Sequence, residues 1–242
     1  MGAYSLKAPS ALILHYDRTI LPPNQTTMVL TVGPERIQLP PGSTVTLHYQ
    51  TWDDYETLLA SRRDDAAIKI RFNAHTQQIS LMAPMAGHGR RIDTLVDLVK
   101  ALLRHQGRDW DSSHPVTLKR LREAGAEPDA CFYIQNWQAV LGKERIDLAI
   151  DPPPDLAIEM DLTSMTELEV YQMLAVPEVW IYRQGQLNLY VLTDSGYSDR
   201  PTSFAFPTVD VKALLPQYVE RAWAAGSSVA LREFEQYLQA LT

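Results

Sequence analysis

The stretch Asp151-Pro-Pro-Pro-Asp-Leu-Ala-Ile-Glu-Met-Asp-Leu-Thr163 constrains this chain more than any other. Prolines cannot donate to a strand ladder, so three in a row mark the entry of a strand rather than its middle. Beyond them the pattern alternates. Leu156, Ile158, Met160 and Leu162 share one face; Asp155, Ala157, Glu159 and Asp161 share the other, because successive strand side chains point to opposite sides. Three acids on one strand face repel one another. A positive group belongs beside them, and a divalent cation is the simplest candidate.

An earlier stretch reads as the partner. Glu127-Pro128-Asp129 leads into Ala130-Cys-Phe-Tyr-Ile-Gln135, an aromatic and β-branched run with strand character. If the two strands pair, Asp129 and Glu159 meet at one end of a sheet. Taken singly, Glu127, Asp129 and Asp155 are equally well solvated acids beside proline turns. Taken as two Pro-Asp strands, they favour a shared site.

The composition, 45% hydrophobic and 21% charged over 242 residues, suits one globular domain with an arm. The lone Cys131 excludes an internal disulfide framework and fits a reducing compartment. No apolar run is long enough for a membrane span, and the first residues lack the apolar core of a signal peptide. The expectation is a cytoplasmic protein. A net charge of −7 argues against constitutive tight binding to nucleic acid. The charge is uneven, however. Residues 62–122 hold twelve Lys/Arg against six Asp/Glu, which leaves about −13 to the remainder. A basic half facing an acidic half suits a cleft for metal and phosphate; ordinary scatter of solvated charge accounts for it as well.

Residues 1–43 carry short apolar runs broken by prolines and read as an arm, with residues 44–242 as the domain. Thr51 begins a helix as its N-cap, with Asp53 and Asp54 in the first turn. Residues 67–72 and 78–82 read as a hairpin. Ile92, Leu95, Val96, Val99, Leu102 and Leu103 recur at helical spacing over Arg90–His105, and Gly107 ends that helix. One short strand is expected within 110–120 and a turn over 122–128. A helix follows the acidic strand over 164–175, capped by Thr163 or Ser164. Residues 179–182 and 187–192 form a hairpin around Gln184-Gly185, and helices over 217–224 and 229–241 close the chain.

Three segments together resemble a known family. They are Glu-Pro-Asp-x-Cys-Phe-Tyr-Ile-Gln-Asn (127–136), Asp-Pro-Pro-Pro-Asp-Leu-Ala-Ile-Glu-x-Asp-x-Thr-Ser (151–164) and Tyr-x-x-x-x-Val-Pro-Glu-Val-Trp (171–180). Their combination resembles the Uma-two family, bacterial restriction-endonuclease-like proteins of the PD-(D/E)XK superfamily. The likeness runs from about Gln50 to the C-terminus. It implies an α/β (α+β) restriction-endonuclease-like core, a mixed central sheet flanked by helices, here with extra hairpins and the N-terminal arm. It also implies Mg²⁺- or Mn²⁺-dependent hydrolysis of DNA phosphodiesters, with a two-fold homodimer by analogy. Matched motif to motif, Asp129 is the first acid and Glu159 the acid of the triplet. Asp155 and Asp161 are further metal candidates.

The chain departs from the family pattern where cations are expected. The Lys of the triplet falls on Asp161. A Lys or Arg that many members carry on the next helix falls on Glu167, and an acid of the first hairpin falls on Ser80. The expectation is an acid site lacking the usual Lys, in which Lys119 or His88 takes the missing role. Lys119 and Arg120 precede the Pro-Asp turn, where an exposed strand-end charge is the commoner role, and His88 reads equally as a capping or loop-stabilising residue. Arg90 and Arg91 either meet phosphates or lie in solvent. Cys131 reads as buried beside the site, Tyr171 and Trp180 as core. Two further readings stand beside the nuclease: a catalytically inactive nuclease-like fold that binds nucleic acid or dimerises, and a small α/β protein with an acidic cation site.

Overall fold

The computed structural model describes residues 39–62, 68–114, 116–161 and 166–241. The expected arm over residues 1–43 lies outside the described residues up to position 38. In chain order, β1 (Thr44–His48) leads into α1 (Trp52–Ser61). The helix starts where expected: the Thr51 side chain accepts from the Asp54 N–H, and Asp54 returns the bond to the Thr51 backbone, a complete capping box. The hairpin follows as β2 (Lys69–Asn73) and β3 (Gln78–Met82), antiparallel with Asn73 opposite Gln78. Ile68, Ile70 and Phe72 pack with Leu47, Tyr55, Ile79 and Leu81. By alternation Lys69, Arg71 and Asn73 occupy the other face.

Helix α2 (Ala86–His105) begins four residues before its expected start at Arg90, so His88 lies in its first turn. Gly107, at φ +64°, ends it. Residues 110–126 hold three short strands: β4 (Asp111–Ser113), β5 (Leu118–Arg120) and β6 (Ala124–Ala126). The last occupies part of the expected turn, where three small residues without alternation left no strand signal. Then come β7 (Ala130–Tyr133), β8 (Leu156–Met160) and the short α3 (Leu168–Met173). The caps expected at Thr163 or Ser164 lie outside the described residues. Strands β9 (Glu178–Arg183), β10 (Gln186–Thr193) and β11 (Gly196–Arg200) follow, then α4 (Val211–Ala225) and α5 (Ser227–Gln239). Gln184 and Gly185 both have positive φ, as a two-residue hairpin turn requires.

The strands form two sheets, β1-β3-β2-β6-β5 and β11-β10-β9-β8-β7-β4. The second is mixed. β8 and β9 run parallel, joined across α3, and the other pairs are antiparallel. This is the mixed central sheet flanked by helices that the family resemblance implies; the extra hairpins make the second sheet. Leu156, Ile158 and Met160 pack with Leu95, Val99, Leu215 and Phe234 from α2, α4 and α5. On the opposite face Ala157 and Val179 pack with Val170 and Tyr171 of α3 and with Ala124 and Ala126 of β6. Among the described residues no helix is long and apolar enough to cross a membrane.

Candidate active site

Ala130 stands opposite Ile158 in the antiparallel β7–β8 ladder. One step further, Asp129 stands opposite Glu159, as the sequence predicts. Asp129 Oδ2 accepts the Met160 N–H at 2.8 Å, which ties the loop before β7 to the end of β8. Both side chains are buried, Asp129 to 4% and Glu159 to 2% exposure. Isolated carboxylates at that depth are costly unless they are paired.

The pairing comes from β2. The Lys69 ammonium bridges the acids: it contacts Asp129 Oδ1 and lies 3.2 Å from Glu159 Oε2. Arg71, two residues on and therefore on the same strand face, donates to Glu159 Oε1 at 2.8 Å. The Tyr171 hydroxyl of α3 donates to the same oxygen at 2.5 Å. On the far side of Asp129, His88 Nε2 lies 3.0 Å from Oδ2, although its N–H does not point squarely at that oxygen. The site is thus assembled from two sheets and two helices.

Electrostatics pull the two acids apart. Burial alone raises the Asp129 carboxyl, but Lys69 and His88 outweigh it and hold the group well below the ordinary carboxylate range. Burial dominates at Glu159; together with the Asp129 charge it outweighs Lys69, Arg71 and the Tyr171 bond, and the carboxyl sits above its usual value. Burial disfavours the Lys69 cation, yet Glu159 and Asp129 more than compensate and keep it protonated. Arg71 follows the same pattern, with Glu159 the main compensating charge. Buried acids whose proton affinities are pushed apart occur at sites arranged for chemistry and in structural ion-pair networks alike.

Several expectations are corrected. The site does not lack a cation: Lys69 and Arg71 supply two, from a strand that no motif connects with Glu159. Their sequence signal was faint, two cations on one face of an otherwise apolar strand. Lys119 is not part of the site; it pairs with Glu56 of α1 at 2.9 Å. Asp155 is not a metal candidate by position. Its Oδ2 accepts the backbone N–H groups of Ile134 and Gln135 at 2.6 and 2.9 Å, where β7 ends. Asp161 turns to its own loop and accepts from the N–H and hydroxyl of Thr166 at 2.8 and 2.7 Å. These acids left the expected cluster because each satisfies backbone N–H groups that the sheet cannot. Among the described residues no three His, Cys, Asp or Glu side chains gather as a metal centre.

His88, read from the sequence as a ligand of bound water or phosphate or as a loop-stabilising residue, lies beside Asp129. Cys131 is buried beside the site, in register with Ala157, and burial pushes its thiol up to about 12, which removes it as a nucleophile. Trp180 is core. Tyr171 is core by burial, but its hydroxyl belongs to the site. Ser80 lies in register with Arg71, and the Glu167 charge acts on the same arginine.

Glu127, two residues before Asp129, is also buried rather than solvated. It accepts from Arg62 at 2.5 Å, from the Ile70 N–H at 2.9 Å and from the Thr117 hydroxyl at 2.8 Å. Ile70 lies between Lys69 and Arg71. The segment 127–129 therefore grips the cation strand with one acid and presents the other to its ammonium.

No curated protein matches the chain. The crystal structure of a "putative nuclease belonging to DUF820" from Anabaena variabilis is similar over 68% of this chain and 98% of its own, at 15% identity and a TM-score of 0.47. The family profile described as "Uma2: Putative restriction endonuclease" matches residues 52–224. That span covers both sheets except the edge strand β1, together with every member of the buried cluster, and the chain belongs to the Uma2 family.

Proposed function

We propose that the chain is a divalent-metal-dependent nuclease that hydrolyses DNA phosphodiesters, with Asp129 and Glu159 holding the metal and Lys69 acting at the reacting phosphate. The observation that carries this reading is the Lys69 ammonium bridging both carboxylates. It is a cation to which oxygens of both acids converge, so the donor set suits a hard ion. Magnesium commonly takes one or two carboxylates and completes its shell with water and substrate phosphate. A bound metal ion supplies charge that polarises the phosphate and lowers the pKa of an attacking water.

The chain's own groups do the rest. Lys69, kept protonated by its two acids, is a positive donor for a phosphate oxygen and not a base. Arg71 and Tyr171 fix one oxygen of Glu159 and leave the carboxylate a single orientation. His88 and the Met160 N–H hold Asp129 from the side away from Lys69. Burial of the pair excludes bulk water and strengthens each of these contacts.

Calorimetric titration of Mg²⁺ and Mn²⁺ into the wild type and Glu159→Ala, beside a plasmid-nicking assay, tests the reading. Metal binding and nicking that both vanish in the variant are expected. A wild type that binds neither ion sinks it. One observation favours a second reading, the inactive nuclease-like fold: Lys69, Arg71 and Tyr171 already satisfy Glu159 without a metal. DNA that is bound and never cut, in either ion, selects that alternative.

A further inference from the structure

Trp223 on α4 is 43% exposed, and its indole faces two arginines of α2. The Arg91 guanidinium carbon lies 3.9 Å from the ring centroid and that of Arg90 lies 4.8 Å away. A guanidinium over an aromatic face is held flat by the ring quadrupole while its five N–H donors stay free for other partners. Arg90 is exposed and has no carboxylate partner among the described residues. Arg91 has a distant one, Glu220 Oε1 at 3.8 Å from Nε, and that oxygen already accepts from the Tyr182 hydroxyl at 2.8 Å. The patch therefore carries surplus positive charge and unused donors on a chain whose net charge is −7.

Its position matters as much as its charge. A Cβ on Gly87 would lie 3.4 Å from the Trp223 ring, so Trp223 packs against the first turn of α2. The next residue, His88, meets Asp129 at 3.0 Å. From the other side, Tyr182 stands in register with Met160, the neighbour of Glu159. The first route joins the arginine–tryptophan stack to Asp129 through Gly87 and His88; the second, through Glu220, Tyr182 and Met160, reaches the strand of Glu159 from its other face.

We propose that Arg90 and Arg91, pre-ordered by Trp223, clamp the phosphodiester backbone of nucleic acid beside the acid pair and so seat a neighbouring phosphate. Planar guanidinium forks match phosphate oxygens in pairs. Fixing them over the indole in the free protein removes side-chain entropy that binding would otherwise cost. The inference rests on the nuclease reading. It assigns substrate positioning to residues that touch neither acid.

The test measures binding of a fluorescein-labelled duplex DNA, the same strand alone and its RNA counterpart, in EDTA and again in Ca²⁺, across a salt series. For the tightest-binding of the three, which identifies the source of the phosphate, Arg90→Ala/Arg91→Ala is expected to weaken binding. It should also flatten the dependence of log K on log salt by roughly 1.4 to 1.8 units, at about 0.7–0.9 per phosphate contact. Trp223→Ala keeps both charges and is expected to lose affinity, with Trp223→Phe restoring most of it. Melting temperatures near wild type confirm that the fold is intact. A wild type that binds while the double variant keeps its affinity and slope overturns the clamp and leaves the acid site standing. A wild type that binds none of the three overturns the clamp and the nuclease reading together.

Discussion

The Lys69 ammonium lies 3.2 Å from Glu159 Oε2, although ninety positions separate the two residues. Removing the amine leaves two buried acids facing each other. Lys69→Met is therefore expected to cost about 3–5 kcal/mol, the usual consequence of breaking a buried pair. It should also abolish DNA cleavage. Mn²⁺ should raise the melting temperature of the variant more than that of the wild type, because the ion replaces the missing charge. Thermal melts with and without Mn²⁺ read this out, and equal shifts in both proteins contradict it.

Lys119 gives the contrasting case. It pairs with Glu56 at the surface, both side chains more than a third exposed. Lys119→Ala should change stability by less than about 1 kcal/mol and leave metal binding at the wild-type level. A loss of metal affinity in that variant would return Lys119 to the site.

Glu127→Ala removes the acceptor shared by Arg62, the Ile70 N–H and Thr117. Leaving those buried donors unmet should cost about 3 kcal/mol or more, seen as a lower urea midpoint. Metal-induced stabilisation should weaken as well, since the strand that carries Lys69 and Arg71 loses its anchor. A destabilised variant with unchanged metal response would make Glu127 purely structural.

Gly125 has no room for a side chain. A Cβ there would overlap the hydroxyl and ring of Tyr55, which is fully buried in the first sheet's core. Gly125→Ala should cost about 3 kcal/mol, at the upper end of overpacking effects. Urea unfolding of Gly125→Ala alone and combined with Tyr55→Ala checks this: the substitution should be far milder in the second background.

Acid should act through Asp129. Its carboxyl is held below the free value of 3.8. The unfolded chain therefore takes up a proton there before the folded one does. The resulting stabilisation is fully present above pH 4 or so and is lost as pH falls further, towards the folded value. In Asp129→Asn, unfolding free energy should fall less steeply between pH 4 and 2.5, by up to about 1.4 kcal/mol per pH unit. Parallel slopes in the two proteins would show that the carboxyl is not depressed. Glu159, shifted upward by burial, works in the opposite sense, and its protonation as pH falls should weaken metal binding.

The acids were legible in the sequence because proline placement and strict alternation fix strand entry and face. Asp129 and Glu159 then meet through ordinary antiparallel register. His88 was singled out through the family resemblance, although the sequence placed it ahead of the helix whose first turn it occupies. The cations were not, since Lys69 and Arg71 belong to a hairpin whose docking beside β8 depends on contacts between residues far apart in sequence. Periodicity carries no such information. Asp155 and Asp161 looked identical to Glu159 in the pattern. What distinguishes them is which backbone N–H groups each must satisfy, a property of the loops at the ends of the strands.

The buried cluster draws its positive groups from before residue 92 and its acids from after residue 126. Neither half of the chain holds a complete set, and a growing chain carries one only after Tyr171 has been added. Whatever the cluster does, it does only once the two sheets have come together. The topology thus ties the site to tertiary assembly: a copy cut before Asp129 has cations without their acids, and one whose hairpin β2–β3 fails to dock has acids without their cations.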